Sequence, residues 1–96
     1  MPDYEVINNE QQQQFEIHAE GEVAILVYRF YKHDIALMHT EVPPKLEGKG
    51  IASVLAKHAL EWAKAHKKRV MVYCPFVALY LKRHPEYNEL VEVKID

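Results

Sequence analysis

Apolar and polar residues alternate through the first half of the chain, and the apolar ones fall into a helical spacing through the second. Phe15, Ile17 and Ala19 interleave with Glu16, His18 and Glu20, the period-two pattern of a strand with one wet face. The Glu-Gly-Glu around Gly21 marks a turn. Val23 to Tyr31, "VAILVYRFY", is almost continuously apolar and predicts a strand covered on both faces. Lys32 to Asp34 turns the chain again, and Ile35 to Val42 predicts a further strand. This first half reads as an antiparallel meander, preceded by a polar loop over the biased tract "NNEQQQQ" from Asn8 to Gln14.

The period then changes. Ile51, Val54, Leu55, Ala59, Trp62 and Ala63 form one apolar stripe, which predicts a helix from Ile51 to His66. Lys57, Glu61, Lys64 and Lys68 fall mostly off that stripe. "VMVYC", Val70 to Cys74, predicts a buried strand. Pro75 opens a second helix that ends before Pro85, with proline at a first position whose N–H has no helical partner in any case. A strand, helix and strand in succession predict a right-handed parallel crossover. The expected fold class is α+β with an α/β half: an antiparallel meander followed by β-α-β-α, giving a mixed central sheet flanked by helices. Residues 1–96 read as a single domain.

Composition narrows the partners. Twelve basic residues against 14 acidic ones give no electrostatic footprint for nucleic acid or an anionic membrane. A single cysteine, Cys74, excludes an internal disulfide and suits a reducing compartment. No stretch approaches the roughly 18 apolar residues of a membrane span, and "MPDYEVINNE" has no targeting character, so a cytoplasmic location is expected. The histidines show no close-spaced metal-ligand pattern, and no metal is expected.

One stretch carries chemistry. In "LEGKGIASVL", Gly48 and Gly50 flank Lys49 directly before the first helix, behind the rigid pair Pro43-Pro44. A helix N-terminus offers unpaired N–H groups and the positive end of a dipole, and glycines let a large anion approach the backbone. The spacing is neither a P-loop nor the three-glycine dinucleotide fingerprint. By itself it reads more readily as a turn that launches a helix than as a phosphate cradle.

The surrounding sequence resembles a known pattern. "VPPKLEGKGIASVLAKHAL" resembles the acetyl-coenzyme A signature of the GCN5-related N-acetyltransferase superfamily, Arg/Gln-x-x-Gly-x-Gly/Ala, with Gly50 and Ala52 in its last two positions. "VALYLKRHPEY" resembles the superfamily's second hallmark, filled here by Ala78, Leu79, Tyr80, Lys82, Arg83 and Tyr87. Cys74-Pro75-Phe76 and His84-Pro85-Glu86-Tyr87 are similar to a small single-domain acetyltransferase-like group. The resemblance runs from about Phe15 to Tyr87 and departs from the pattern at Glu47, which stands at the Arg/Gln position.

The resemblance implies acetyl-CoA as cofactor and an amine as acceptor. Backbone groups near Val42 would bond pantetheine, while Gly48, Lys49, Gly50, Ile51 and Ala52 would hold the phosphates. Tyr80 matches the tyrosine that donates a proton to the departing thiolate, beside the cofactor; its apolar helix neighbours also suit a core tyrosine. Cys74, capping the second helix, is a candidate acetyl acceptor for a two-step route. Glu41 shares a strand face with His39 and is a candidate base, directly or through water. A non-catalytic acyl-CoA-binding or protein-interaction module is the alternative. The helices that usually shape the acceptor site have no room between Asn8 and Phe15, which implies a groove open to a protein or polyamine amine, or one completed by a second copy. Either a monomer or a homodimer is therefore expected.

Overall fold

In the computed structural model residues 4–93 are described. Strands β1 (Ile7–Asn9), β2 (Gln14–Ala19), β3 (Glu22–Tyr31) and β4 (Asp34–Glu41) form the antiparallel meander. Helix α1 (Ile51–Ala65) then leads to β5 (Arg69–Val72), which pairs parallel with β4. Helix α2 (Pro75–Arg83) and a 3-10 segment (Pro85–Leu90) lead to β6 (Val91–Val93), parallel to β5. The six strands lie in chain order across one mixed sheet. The parallel crossover expected from the sequence is present, and a second one, from β5 to β6, was not read from it.

β1 takes the first two residues, Asn8 and Asn9, of the tract expected to be a polar loop. Asn8 and Asn9 can occupy a strand because their side chains are bonded: Asn8 Oδ1 accepts from the Tyr28 hydroxyl at 2.6 Å, and Asn9 Nδ2 donates to Glu16 at 2.9 Å. Pairing opposite a strand that already has one buried face overrides the weak strand preference of asparagine. Only Glu10 to Gln13 form the turn, with Gln13 at φ 56°.

Both crossovers advance the same way across the sheet, so right-handed connections put α1 and α2 on one face. Alternate residues of every central strand reach that face: Phe15 and Ile17, Leu26 and Tyr28, Ile35 and Leu37, Val70 and Val72. They pack against Leu55, Ala59 and Leu60 of α1 and Val77 and Leu81 of α2 in one continuous core. Each leucine side chain fully withdrawn from water there contributes about 1.5–3 kcal/mol. The helical stripe expected on α1 is met by Ile51, Leu55, Ala59 and Ala63, while Val54 and Trp62 are only partly buried at its borders.

The apolar run of β3 is covered on one face only, contrary to the sequence reading. Val23 and Tyr31 are 40% and 56% exposed, and Val27 is shielded by its neighbours within the sheet without joining the helix-side core. Continuous hydrophobicity in a central strand therefore does not require a second helical layer; cross-strand neighbours suffice for Val27 and Ala36.

One irregularity positions the site. Val27 lies opposite His39 while Tyr28 lies opposite Leu37, so Met38 is an extra residue in β4. A bulge of this kind bends the strand and increases its twist. The β4–β5 ladder stops at Leu37 opposite Val72, and the N–H groups of Tyr73 and Cys74 both donate to the Leu37 carbonyl, at 3.0 and 3.1 Å. Beyond that point β5 no longer accompanies β4, and the edge of Met38 to Glu41 is left without a parallel partner among the described residues.

Candidate active site

The freed edge of β4 runs toward the glycine turn. Pro43 and Pro44 end the strand, and a single 3-10 turn, Pro44–Leu46, buries Leu46 in the core and anchors the loop. Gly48 and Gly50 then take φ values of 80° and 77°, left-handed conformations that cost an L-residue roughly 1–2 kcal/mol. Gly50 is the N-cap of α1 and supplies no side-chain cap; the first helical bond runs from Val54 N to Gly50 O at 3.2 Å. The N–H groups of Ile51, Ala52 and Ser53 therefore face outward without intrahelical partners. A Cβ built on either glycine meets nothing within 4 Å, so the space above the turn is open.

That space is a depression of about 230 Å³ bordered by Val42, Glu47, Gly48, Gly50, Ala52 and Phe76, with Leu46, Ile51 and Ser53 also lining it. Bare N–H groups, a positive helix end and open room above two glycines fit an anionic group such as a diphosphate. The structure thus brings Val42, Gly48, Gly50, Ile51 and Ala52 together. Lys49 does not line the depression: its Nζ lies 3.0 Å from Glu20 Oε2, tying the turn to the β2–β3 hairpin. That bond to the Glu20 carboxylate raises the Lys49 pKa. Glu47 lies on the border and forms no ion pair among the described residues.

The candidate chemical groups are distributed around this depression rather than within it. Cys74 caps α2, is 2% exposed, and its Sγ lies 3.2 Å from Thr40 Oγ1. The contact spans the gap where β5 leaves β4. Glu41 projects from the opposite, open face of the sheet, with its Oε2 3.2 Å from His39 Nε2, and both side chains are more than half exposed. The expectation that these two share a face holds.

Tyr80 sits one helical turn beyond Phe76 and faces a neighbouring cleft of about 420 Å³ between α1, α2 and the 3-10 segment. Its ring stacks on His84 at 4.1 Å, and the residue is 8% exposed. Burial first, then the carboxylates of Glu86 and Glu61, raises its pKa, so the phenol keeps its proton throughout the neutral range. In the same cleft the Tyr87 hydroxyl donates to Glu61 at 2.5 Å, and burial together with that carboxylate pushes the Tyr87 phenol far up.

Sequence reasoning missed Leu46, Ser53 and Phe76 as lining residues. Ser53 follows directly from the position of Ala52 at the helix start. Phe76 carried a local signal too, as the residue after Cys74-Pro75, but its place opposite the glycine turn depends on the β4–β5 divergence. Among the described residues no group of histidine, cysteine and carboxylate side chains is arranged to hold a metal ion. No helix there is long and apolar enough to cross a membrane.

Comparison with known proteins bears on this arrangement. Residues 14–90 match the family model described as GCN5-related N-acetyl-transferase. Protein NATD1 of Mus musculus is 34% identical over 83 residues, covering 83% of this chain and 76% of that protein. Protein NATD1 of Danio rerio is 31% identical over 91 residues, covering 90% and 83%. The NMR solution structure of a GCN5-like protein from Staphylococcus aureus superposes with a TM-score of 0.74 at 25% identity, covering 100% of this chain and 94% of that one. The freed β4 edge, the glycine turn capping α1 and the α2 segment all lie inside the matched span, and the chain belongs to the GCN5-related N-acetyltransferase family.

Proposed function

We propose that this domain is an acetyl-CoA-dependent N-acetyltransferase that acts on an amine acceptor. The observation that carries the reading is the continuity of two features: a strand edge left unpaired beyond Leu37 and, at its end, a helix N-terminus whose first N–H groups have no cap. A pantetheine arm is an extended amide chain and can pair with such an edge, while a pyrophosphate suits the bare helix end. Val42 ends the edge, and the N–H groups from Gly48 through Ala52 face the phosphates. Acetyl-CoA supplies an acetyl group activated as a thioester.

The chain's own residues have three tasks. Backbone N–H groups on the unpaired edge from Met38 to Glu41 are the donors at hand to polarise the thioester carbonyl, where charge develops. Glu41, exposed on the open sheet face beside His39, takes the proton of an approaching ammonium directly or through water and yields the neutral amine. Tyr80, held protonated by burial, gives its proton to the sulfur, and the amine's second proton, released as the amide forms, restores the phenol. Direct transfer is the economical route for Cys74 as well, since its thiol is enclosed and bonded to Thr40, whereas a covalent acetyl-Cys74 needs that contact opened.

A second reading, a domain that binds acyl-CoA without catalysis, rests on two placements. The Glu47 carboxylate borders the anion site, and Tyr80 lines the adjoining cleft instead of that site. Calorimetry with acetyl-CoA followed by a thiol-release assay over mixed amines tests both. Binding with turnover that falls about 100-fold in Tyr80→Phe at unchanged affinity supports the enzyme. Binding without thiol release supports the module, and no binding at millimolar acetyl-CoA overturns both.

A further inference from the structure

Lys49 stands between the two glycines of the turn, yet its charge is engaged elsewhere. Gly48 and Gly50 border the anion depression, whereas Lys49 Nζ lies 3.0 Å from Glu20 Oε2. Glu20 reaches it from the tip of the β2–β3 hairpin. Ala19 pairs with Glu22, so Glu20 and Gly21 alone make the connection, with φ values of 52° and 76°. Two-residue turns with both central residues at positive φ favour asparagine, aspartate and glycine, and glutamate is not among them. Among the described residues the ion pair that Glu20 forms is the one with Lys49.

The depression itself is short of a cation. Among the described residues no basic side chain lines it, and the Glu47 carboxylate stands on its border. A diphosphate seated there meets backbone N–H groups and a carboxylate, with the nearest lysine of the turn facing away.

The bond that holds this lysine away is exchangeable. The Lys49 and Glu20 side chains are 40% and 47% exposed, and an ion pair so open to water is weak. Lysine carries its charge on a flexible four-carbon stem. With both flanking residues on the rim, rotation about side-chain bonds suffices to bring Nζ over the depression. A diphosphate bears more negative charge than one carboxylate and competes for the lysine.

We propose that the Lys49–Glu20 pair is a charge-exchange latch. A diphosphate seated on the glycine turn draws Lys49 away from Glu20, and Glu20 takes the lysine back when the ligand leaves. The latch rests on the acetyl-CoA reading of the depression and gives the β2–β3 hairpin a part in it. Glu20 competes with the ligand for the cation of the turn, and so limits how tightly acetyl-CoA and the product CoA are held. A plain brace, with Lys49 staying on Glu20 throughout, predicts no gain on removing Glu20.

Calorimetry on the full chain at low salt separates the two. Glu20→Gln is expected to bind acetyl-CoA and CoA about threefold to fivefold more tightly, and Lys49→Met to bind them more weakly by a similar factor. In a Lys49→Met background Glu20→Gln should change nothing. S-acetylpantetheine, which has the thioester arm and no diphosphate, should bind every variant alike. The exchange is also visible without turnover. The Lys49 Nζ resonance, assigned by its absence in Lys49→Met, should shift with acetyl-CoA and stay in place with S-acetylpantetheine. Both substitutions fall on exposed side chains, and urea midpoints near that of the native chain confirm that the variants fold. An affinity for acetyl-CoA that is unchanged or weakened in Glu20→Gln overturns the latch and leaves the cofactor reading in place. A gain that persists in the Lys49→Met background does the same, since it comes from the lost charge alone. A native chain that binds no acetyl-CoA at millimolar concentration overturns the cofactor reading, and the latch with it.

Discussion

The two ends of α1 are built on opposite plans. At the N-terminal end, glycines replace side chains, no residue caps the helix, and N–H groups open into a depression. At the C-terminal end the carbonyls of Trp62, Ala63 and Lys64 are all bonded. His66 N donates to Trp62 O, Lys67 N to Lys64 O at 3.2 Å and Lys68 N to Ala63 O at 2.9 Å, the paired bonds of a Schellman motif. Around that closed end stand aromatic rings and a carboxylate. One helix thus presents an unfinished positive end suited to an anion and a paired end packed against aromatic rings. The difference lies in the backbone: one end leaves its N–H groups unpaired, and the other pairs its groups through the Schellman bonds.

The contrast is broken most severely at Gly50. Gly50→Val forces a branched side chain to φ 77° and fills the open space above the turn. Affinity for acetyl-CoA is expected to fall at least about 100-fold, on the order of 3 kcal/mol, while the domain stays folded at a cost of about 1–2 kcal/mol. Calorimetry gives the first number and denaturant unfolding the second. Retained affinity would mean that the bare N–H groups do not hold the ligand.

Glu47→Gln sharpens the same end. Removing a carboxylate from the border of the proposed anion site, next to a helix N-terminus, is expected to tighten acetyl-CoA binding by about 1 kcal/mol, roughly fivefold, at low salt. The gain should shrink as salt rises. An unchanged affinity at every salt concentration would show that Glu47 is turned away from the bound anion.

Much of this architecture was readable in the chain, and the exceptions are informative. The periodicity of Phe15 to Ala19, the stripe from Ile51 to Ala63 and the proline before α2 each encode a local preference that the fold keeps. β1 was not readable, because Asn8 and Asn9 owe their strand to bonds with Tyr28 and Glu16 from other strands. β6 was not readable either; three residues after a 3-10 segment carry no period. At the glycine turn, Val42 and the run from Gly48 to Ala52 are near one another in sequence, so their meeting was foreseeable. Phe76 joins them only because a bulge at Met38 parts β4 from β5, a displacement no residue type announces. The aromatic packing at the paired end of α1 is further still from legibility, since Tyr28 and Phe30 meet Trp62 only through the crossing of helix and sheet.

At the closed end, Lys67 occupies the C′ position of the Schellman motif with φ 56°, where glycine is the usual residue. Lys67→Gly is expected to stabilise the domain by about 0.5–1 kcal/mol, because the strain of a left-handed lysine outweighs the extra freedom of glycine in the unfolded chain. A shift of the urea midpoint to higher concentration with an unchanged slope is the sign to look for. Acetyl-CoA affinity should not move, which separates the two ends functionally.

The smallest effect comes from the middle of the helix. His58 is partly buried with its ring edge-on to Phe15, 5.2 Å between centroids, and burial lowers its pKa below the usual 6.5. The unfolded chain therefore takes up a proton at His58 before the folded one does. Stability should be constant above about pH 6.5 and decline as pH falls from there toward the lowered folded value. Glu16 acts in a separate, lower window. Hydrogen bonds from Gln14, His18 and Asn9 depress its pKa, so its contribution is present above the ordinary carboxylate value of 4.5 and lost only below it. Urea midpoints at pH 7.5 and 5.5 isolate the histidine, and His58→Gln should flatten that part of the profile while leaving the acid limb in place. A decline that persists unchanged in His58→Gln would assign it to one of the other histidines instead, and the middle of α1 would then be electrostatically silent between its two contrasting ends.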